Sequence, residues 1–376
     1  MGQVMGVYGA LWGTLGSMGR VMGHTGLYGA GYGGHWALWG GLWALPHISP
    51  HVWGRESWFE DNHGAALECV GLAASTGPDA MMQLKVTAMM DANICAAINK
   101  RMQEPGAEVT PELIIAAMGG EIAPSLPFLT PQQNQHFGAS LRRLDSVAQA
   151  AAARGVPLLM DAEQSYLQGA LRLLTLALIG RHNRGAEPRV WSTVQAYVRG
   201  AEQVLAMEAS WARRYGARYG VKLVRGAYLE EERLRAHKLG VPDPLHPTLE
   251  ATHRSYGSCL ELALSLVVQD QARLMVATHN EASVLQAAQR MEELGIPRRA
   301  GGVCFAQLYG MCDHVSLALG AAGFAAYKSV PVGPAREALP YLARRAQEHR
   351  QGALRGTAPE RRLLAKELRR RLLPWR

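Results

Sequence analysis

Short apolar runs recur along most of this chain, and helix-forming sequence separates each run from the next. The runs begin after Trp58, and each is bounded by Gly, Pro or a charged residue. The strand candidates are Met82–Ala88, Pro157–Ala162, Val190–Ala196, Val221–Arg225, Arg273–Thr278, Val303–Leu308 and Phe324–Val330. Because these segments are apolar almost throughout, they predict a parallel sheet that is covered on both faces.

The intervening sequence has the texture of crossover helices in repeated β-α units. The helical segments are Ser140–Arg154, Tyr166–Ile179, Val198–Tyr215, Leu229–Lys238, Pro247–Val268 and Glu281–Leu294, with a short one at Pro111–Ala117 and two C-terminal ones at Glu337–Arg350 and Ala358–Leu373. With 376 residues the chain is long enough for one large barrel. Residues 58–376 are therefore predicted to form a single α/β domain, a (β/α)8 or TIM barrel.

Residues 1–57 differ from the rest, because Gly recurs there with Trp, Tyr, Leu or Met. Gly at this density carries a high entropic cost in a helix or a strand, and its spacing has no period of 3.6 or 2.0. We therefore expect a disordered, low-complexity extension. Its longest apolar run, Ala37–Leu45, is far shorter than the roughly 20 residues that span a bilayer. Only Arg20 is charged before Arg55, unlike an Arg-rich mitochondrial transit peptide.

The net charge of +8 is concentrated near the C-terminus rather than along a groove, so no nucleic-acid partner is predicted. The five cysteines contain no C-x-x-C pair and lie in apolar runs. This pattern predicts neither a metal site nor a disulfide framework, and it suits a reducing compartment.

Polar side chains stand at or near the ends of six strand candidates. They are Lys85, Asp161, Glu163, Gln195, Lys222, Arg225, Thr278, His279, Asn280 and Gln307. In a barrel of this kind the functional residues occupy the C-terminal ends of the strands. Unmatched charges there would be costly to bury, so a bound anion or a polar cofactor is one explanation. Internal pairing, for instance of Asp161 with Arg225, is the other.

A pair of arginines lies in the C-terminal helical sequence YLARRAQE. On a helix Arg344 and Glu348 are i,i+4 neighbours and Arg345 is one step round, so Glu348 could orient either guanidinium. Arginine is suited to bidentate capture of a carboxylate. By itself, such a pair is more often a solvated surface.

A series of motifs follows the order of the strands: LKVTA, LLMDAEQSY, VQAY, KLVRGAY, ATHN, FAQLYGM, and YKSVPVG followed by YLARRAQE. Each motif is weak alone, but the series closely resembles the proline dehydrogenase (proline oxidase) family from about Trp58 to the C-terminus. The segments EELGIP, GMCDHVSLALG and ELRRRLLPW are similar to its hydroxyproline dehydrogenase branch.

The resemblance implies a distorted (β/α)8 barrel that binds FAD at the strand C-termini and oxidises a ring C–N bond of an imino acid by hydride transfer. It matches Lys85, Arg344 and Arg345 to the residues that hold the substrate carboxylate, Asp161 to the acid at the gate of the site, and Lys222 to the base beside the isoalloxazine. Flavin-contacting positions are matched by Ala162, Gln195, Arg225, Gly226, Ala227, Thr278, His279 and Glu348, and pocket walls by Tyr228 and Leu308.

One position bears on the substrate. Many proline-specific members of the family have a Tyr two residues before the Pro of the last strand motif, and this chain has Ser329 there. A hydroxymethyl group opens space and offers a donor and an acceptor, which suits a substrate with an extra hydroxyl. The resemblance then implies oxidation of trans-4-hydroxy-L-proline to 1-pyrroline-3-hydroxy-5-carboxylate, with L-proline as the alternative substrate.

The family resemblance also implies ubiquinone as electron acceptor and a mitochondrial location on the matrix side of the inner membrane. The basic, Leu-rich segment Leu363–Leu373 suggests peripheral contact with that membrane, although such a helix is more often a solvated face. A different class of function remains open from the residues alone. A barrel lyase that uses Lys85 as a Schiff-base nucleophile would also explain a buried lysine.

Overall fold

The computed structural model describes residues 38–41, 56–106 and 108–333, together with isolated helical positions between 339 and 369. Within these residues, parallel strands form a closed barrel in which each strand pairs with its neighbour in sequence and the last pairs with the first. The predicted (β/α)8 barrel is confirmed. Its eight strands are β1 Leu38–Gly41, β2 Met81–Leu84, β3 Leu158–Met160, β4 Val190–Gln195, β5 Tyr219–Val224, β6 Ala272–Ala277, β7 Val303–Leu308 and β8 Ala326–Pro331.

The seven predicted strands are all present, and the largest shift is in the first of them. Strand β2 ends at Leu84, and a short 3-10 helix, Val86–Ala88, occupies the remainder of the predicted segment. Lys85 therefore lies between the strand and the 3-10 helix, at the C-terminal rim of the barrel.

Strand β1 lies within residues 1–57, for which the sequence predicts no regular structure. Its four residues pair in parallel with β2 on one side and β8 on the other. Backbone groups at the edges of a nearly closed sheet need hydrogen-bond partners whatever the propensity of the segment that supplies them, and these four residues supply them. The disordered extension expected for residues 1–57 stays a prediction. The other residues before Glu56 lie outside those described.

Helices cover the outer face of the barrel. They are α1 Glu56–Thr76, α2 Ala92–Met102, α3 Pro111–Gly119, α4 Pro131–Ala153, α5 Ser165–His182, α6 Ala201–Arg214, α7 Leu229–Leu239, α8 Leu249–Val268, α9 Glu281–Glu293 and α10 Asp313–Ala321. Helices α1, α2 and α10 were not predicted from the sequence, and α4 begins nine residues before its predicted start. Most residues of the two predicted C-terminal helices lie outside those described, and the described positions within them are helical. None of the helices within the described ranges is long and apolar enough to cross a bilayer.

Helix α1 shows how the outer layer is built. Its buried residues Phe59, Ala66, Val70 and Ala73 recur at helical spacing and form one apolar face. That face joins the main core between the sheet and the surrounding helices, although Phe59 itself packs beside His136.

The barrel interior has a separate, smaller core. Met81, Leu159, Trp191, Met275 and Cys304 contact one another inside the strands. Each of them is followed two residues later along the chain by a residue of the cavity described below. Because side chains alternate across a strand, these positions share the inner face. Apolar side chains thus fill the barrel toward the strand N-termini, which leaves the C-terminal end for polar groups.

Candidate functional site

A cavity of about 410 Å³ opens at the C-terminal end of the barrel. This volume lies within the range of about 300–1,000 Å³ that is typical of ligand pockets. Its walls come from strands β2 to β8 and from the turns that follow them. The lining residues are Gln83, Lys85, Asp161, Ala162, Thr193, Gln195, Lys222, Val224, Arg225, Gly226, Ala227, Tyr228, Ala277, Thr278, His279, Asn280, Ala306, Gln307, Leu308 and Ser329.

A chain of hydrogen bonds crosses the floor of the cavity. Lys222 donates to Asp161 Oδ1 at 2.6 Å and to Gln83 Oε1 at 2.8 Å. Gln83 in turn donates from Nε2 to Ser329 Oγ at 2.9 Å. All four side chains are buried. The proposed internal pairing of Asp161 with Arg225 is therefore wrong, because Lys222 is the cation that pairs with Asp161.

A second polar group surrounds Lys85. Its ammonium donates to the hydroxyl of Tyr228 at 2.9 Å and lies 3.9 Å from Glu163 Oε2. Glu163 also accepts hydrogen bonds from the backbone and hydroxyl of Thr87. Burial by itself would lower the pKa of Lys85, but the Glu163 carboxylate, the Tyr228 hydroxyl and the Asp161 carboxylate together raise it. Lys85 is therefore a protonated cation at neutral pH, suited to hold an anion and unsuited to act as a nucleophile.

Arg225 forms the opposite wall, just after β5. Its guanidinium donates to Thr278 Oγ1 at 3.3 Å and to Ser283 Oγ at 2.5 Å, and it contacts His253 Nδ1 at 2.8 Å. The guanidinium also lies 4.7 Å from the centroid of the Tyr256 ring. Burial lowers the pKa of Arg225, yet an arginine stays cationic in proteins. The contacts hold a positive charge in a fixed orientation at the mouth of the cavity.

His279 connects β6 to β7. The backbone N–H of Leu308 donates to His279 Nε2 at 3.0 Å, so this nitrogen carries a lone pair and the proton of the neutral ring is assigned to Nδ1. The carbonyl of Leu308 accepts from Lys328, which also forms an ion pair with Asp313 at 2.6 Å. Lys328 therefore contacts the end of β7 at the residue whose N–H bonds to His279.

Small residues make room in this cavity. Ala162, Ala227, Ala277 and Ala306 contribute only methyl groups to its wall. Together with the hydrogen-bonding and cationic side chains of the cavity, they give a wall that combines apolar and polar groups. These residues fit a planar aromatic cofactor such as a flavin, whose ring needs flat apolar surroundings and whose tail is anionic.

The cavity brings together most of the residues that the sequence predicts for the site. Thirteen of them line it: Lys85, Asp161, Ala162, Gln195, Lys222, Arg225, Gly226, Ala227, Tyr228, Thr278, His279, Leu308 and Ser329. Arg344, Arg345 and Glu348 lie outside the described residues, and their roles, like those of the thirteen, stay predictions. Within the described ranges no group of His, Cys, Asp or Glu could hold a metal ion.

Gln83 and Thr193 also line the cavity, although neither was predicted from the sequence. Gln83 stands two residues before Lys85, and Thr193 two residues before Gln195, so the alternation of side chains along an extended chain places each on the same side as a residue that was predicted. The two-residue repeat of side-chain direction along a strand would therefore have predicted both residues. Asn280 and Gln307, noted only as polar strand ends, also line the cavity.

The fold and the cavity together define a barrel enzyme whose site lies at the C-terminal ends of the strands. A profile of the proline dehydrogenase family matches residues 59–354, which is most of the chain. The chain belongs to the proline dehydrogenase family and is accordingly an oxidoreductase.

Individual relatives agree with this assignment. Human hydroxyproline dehydrogenase is 49% identical over 331 residues, covering 85% of this chain and 72% of that protein. Human mitochondrial proline dehydrogenase 1 is 44% identical over 257 residues, covering 68% of this chain and 42% of that protein. A crystal structure of proline utilization A from Bdellovibrio bacteriovorus, inactivated by N-propargylglycine, superposes with a TM-score of 0.64 at 19% identity over 84% of this chain and 30% of that one. It supports the fold alone.

Proposed function

We propose that this protein is an FAD-dependent dehydrogenase that oxidises trans-4-hydroxy-L-proline to 1-pyrroline-3-hydroxy-5-carboxylate. The observation that carries the proposal is the buried hydroxyl of Ser329 in the wall of the cavity, hydrogen-bonded to Gln83. A small polar group at this position suits a ring that bears a hydroxyl. The relatives at 44% to 49% identity that carry the name hydroxyproline dehydrogenase favour the same substrate.

We assign the FAD to the side of the cavity formed by the ends of β3, β4, β5 and β6. A bound flavin supplies the hydride acceptor for oxidation of the ring C–N bond. The residues assigned to it are Ala162, Gln195, Arg225, Gly226, Ala227, Thr278, His279 and Glu348. Arg225 brings a fixed positive charge that suits an anionic group. The neutral imidazole ring of His279 is held in place by the hydrogen bond from the Leu308 N–H.

The substrate is assigned to the side near Lys85. Its carboxylate is held by Lys85 with Arg344 and Arg345, while Tyr228 and Leu308 form the walls of the pocket. Tyr228 stays a neutral hydrogen-bonding partner of Lys85, because burial raises the pKa of its hydroxyl. Asp161 and Lys222 are assigned as the acid at the gate and the cation beside the reacting ring. Their 2.6 Å contact compensates both buried charges.

Two other functions were compatible with the sequence. Oxidation of L-proline uses the same machinery, and the preference between the substrates is expected to depend on Ser329. A lyase reaction through a Schiff base at Lys85 is disfavoured, because that chemistry needs a neutral amine and the neighbours of Lys85 raise its pKa.

The electron acceptor and the location of the enzyme are also part of the proposal. We infer a quinone acceptor, ubiquinone, and a mitochondrial location on the matrix side of the inner membrane. Relatives named mitochondrial proline dehydrogenase 1 support the location. Peripheral contact with the membrane through Leu363–Leu373 would bring the barrel close to the quinone pool.

The proposal predicts that trans-4-hydroxy-L-proline bleaches the flavin absorbance of the purified enzyme under anaerobic conditions faster than L-proline does. The measurement is stopped-flow absorbance at matched substrate concentrations. If neither compound bleaches the flavin, the proposed activity is wrong. If L-proline is clearly faster, the assignment of Ser329 is wrong and the alternative substrate replaces the proposed one.

A second prediction concerns the arginine pair. Arg345→Lys is expected to raise KM for trans-4-hydroxy-L-proline by about tenfold with little change in kcat, since a point charge replaces a planar fork that binds a carboxylate with two parallel hydrogen bonds. Steady-state kinetics with a quinone analogue checks this. Arg362→Lys, a change at an exposed helical position, is the control and should leave KM at the wild-type value. An unchanged KM in Arg345→Lys would remove Arg345 from the site.

A further inference from the structure

Gln83 has a place in the site that no family motif assigned to it. It lies on the inner face of β2, it is 6% exposed, and it contacts both Lys222 and Ser329. Gln83 thus links Lys222, which is assigned to the reacting ring, with Ser329, which is assigned to the choice of substrate. A buried glutamine with a partner at each end of its amide has a defined orientation.

The direction of each hydrogen bond follows from the chemistry of the donors. The Lys222 ammonium can only donate, so the carbonyl end of the Gln83 amide must face it. The amino end then faces Ser329 and donates to its hydroxyl oxygen. Because Ser329 accepts from Gln83, its own hydroxyl proton is directed to another acceptor. The cation of Lys222 therefore determines, through the orientation of the Gln83 amide, that the Ser329 hydroxyl accepts from Gln83 and donates to another group.

We propose that Gln83 is a specificity-determining positioning residue, which holds Ser329 as a hydrogen-bond donor toward the ring hydroxyl of the substrate. The inference rests on the proposed function and extends it. A substrate oxygen at C4 would accept the proton that Ser329 presents, whereas L-proline has no group there to accept it. A site that is built to bind a hydroxyl is less favourable for the analogue that lacks it.

The test uses Gln83→Glu in the holoenzyme. A carboxylate at this position still accepts from Lys222, but it cannot donate to Ser329, which must then donate its proton to the new carboxylate. The ratio of kcat/KM for trans-4-hydroxy-L-proline to that for L-proline is expected to fall about fivefold to tenfold, the value of one neutral hydrogen bond. The ratio separates this effect from a general loss of activity, because both substrates share Lys222.

The matched variants are Ser329→Ala and Gln83→Glu combined with Ser329→Ala. Ser329→Ala should lower the ratio by a similar factor, and the double variant should lower it no further, since Gln83 acts through Ser329. If Gln83→Glu folds poorly, Gln83→Met replaces it with an apolar side chain of similar length and the same loss of ratio is expected. Flavin content, read from the absorbance spectrum, reports whether each variant is assembled.

Two results would overturn the inference. One is a ratio within about twofold of wild type in Gln83→Glu or Gln83→Met while Ser329→Ala lowers it. The other is a further fall when Gln83→Glu is added to Ser329→Ala, which would mean that Gln83 acts on the substrate by another route. Failure of the proposed function itself looks different: the wild-type enzyme would then prefer L-proline or oxidise neither compound, and the inference would fall with it.

Discussion

Replacement of Lys85 with Met is expected to lower kcat/KM for trans-4-hydroxy-L-proline by about 10-fold to 100-fold, mainly through a higher KM. A charged hydrogen bond to a carboxylate is worth about 1.5–3 kcal/mol when it is shielded from solvent, and each 1.4 kcal/mol is a factor of ten. Lys85 is buried and stays protonated, so it can make such a bond. An interaction made equally in the ground state and the transition state changes KM rather than kcat. Steady-state kinetics with a quinone analogue measures both.

The fold must be protected in this experiment, because Lys85→Met leaves Glu163 without its cation. Glu163 is 5% exposed, and a buried carboxylate that loses its partner destabilises a protein by about 3–5 kcal/mol. Combining Lys85→Met with Glu163→Gln removes both charges and should restore the urea midpoint of unfolding. The loss of substrate affinity should persist. Recovery of kcat/KM in the double variant would mean that Lys85 only balances Glu163 and does not hold the substrate.

The strands of this barrel could be predicted because each carries its own local signal. Six runs between Pro157 and Val330 became strands with end shifts of three residues or fewer. The first strand, Leu38–Gly41, could not be predicted, since its glycines oppose both helix and strand and its structure comes from pairing with β2 and β8. Helix α10 was missed for a related reason. Its nine residues are short, small and weakly periodic.

The residues of the site could be predicted from the strand ends, but the ion pairs between them could not. Charged residues at the ends of several strands must meet at one rim of a parallel barrel, so Asp161, Lys222 and Arg225 could be placed together. Which cation pairs with Asp161 depends on which side chains of β5 point into the barrel and which point outward. Lys222 faces the cavity floor, while Arg225 has left the strand and turns toward Thr278. A shift of one residue in that alternation would exchange them, and the sequence alone does not fix it.

Gly226→Ala is expected to destabilise the protein by about 2–5 kcal/mol and to abolish flavin retention. Gly226 has a φ of +138°, which side chains rarely adopt, and an added Cβ would lie 2.2 Å from the ring of Tyr197. Tyr197 cannot easily move. It is 4% exposed, its backbone bonds to Arg225 and His246, and its hydroxyl accepts from the N–H of Tyr228. Either the ring or the turn from Arg225 to Tyr228 must shift, and that turn carries residues assigned to both flavin and substrate.

Gly77→Ala provides the matched control, because Gly77 has a φ of +140°, close to that of Gly226, and a Cβ there would meet no atom within 4 Å. It carries the backbone strain of a side chain at such a φ, about 1–3 kcal/mol, without a clash. Urea unfolding and flavin absorbance of the two variants separate backbone strain from steric displacement of the turn. Equal midpoints and full flavin content in both variants would show that Tyr197 adjusts freely. The close approach of Gly226 to Tyr197 would then not be what holds Tyr228 beside Lys85, and the hydrogen bonds of Tyr228 to Lys85 and Tyr197 would have to do so.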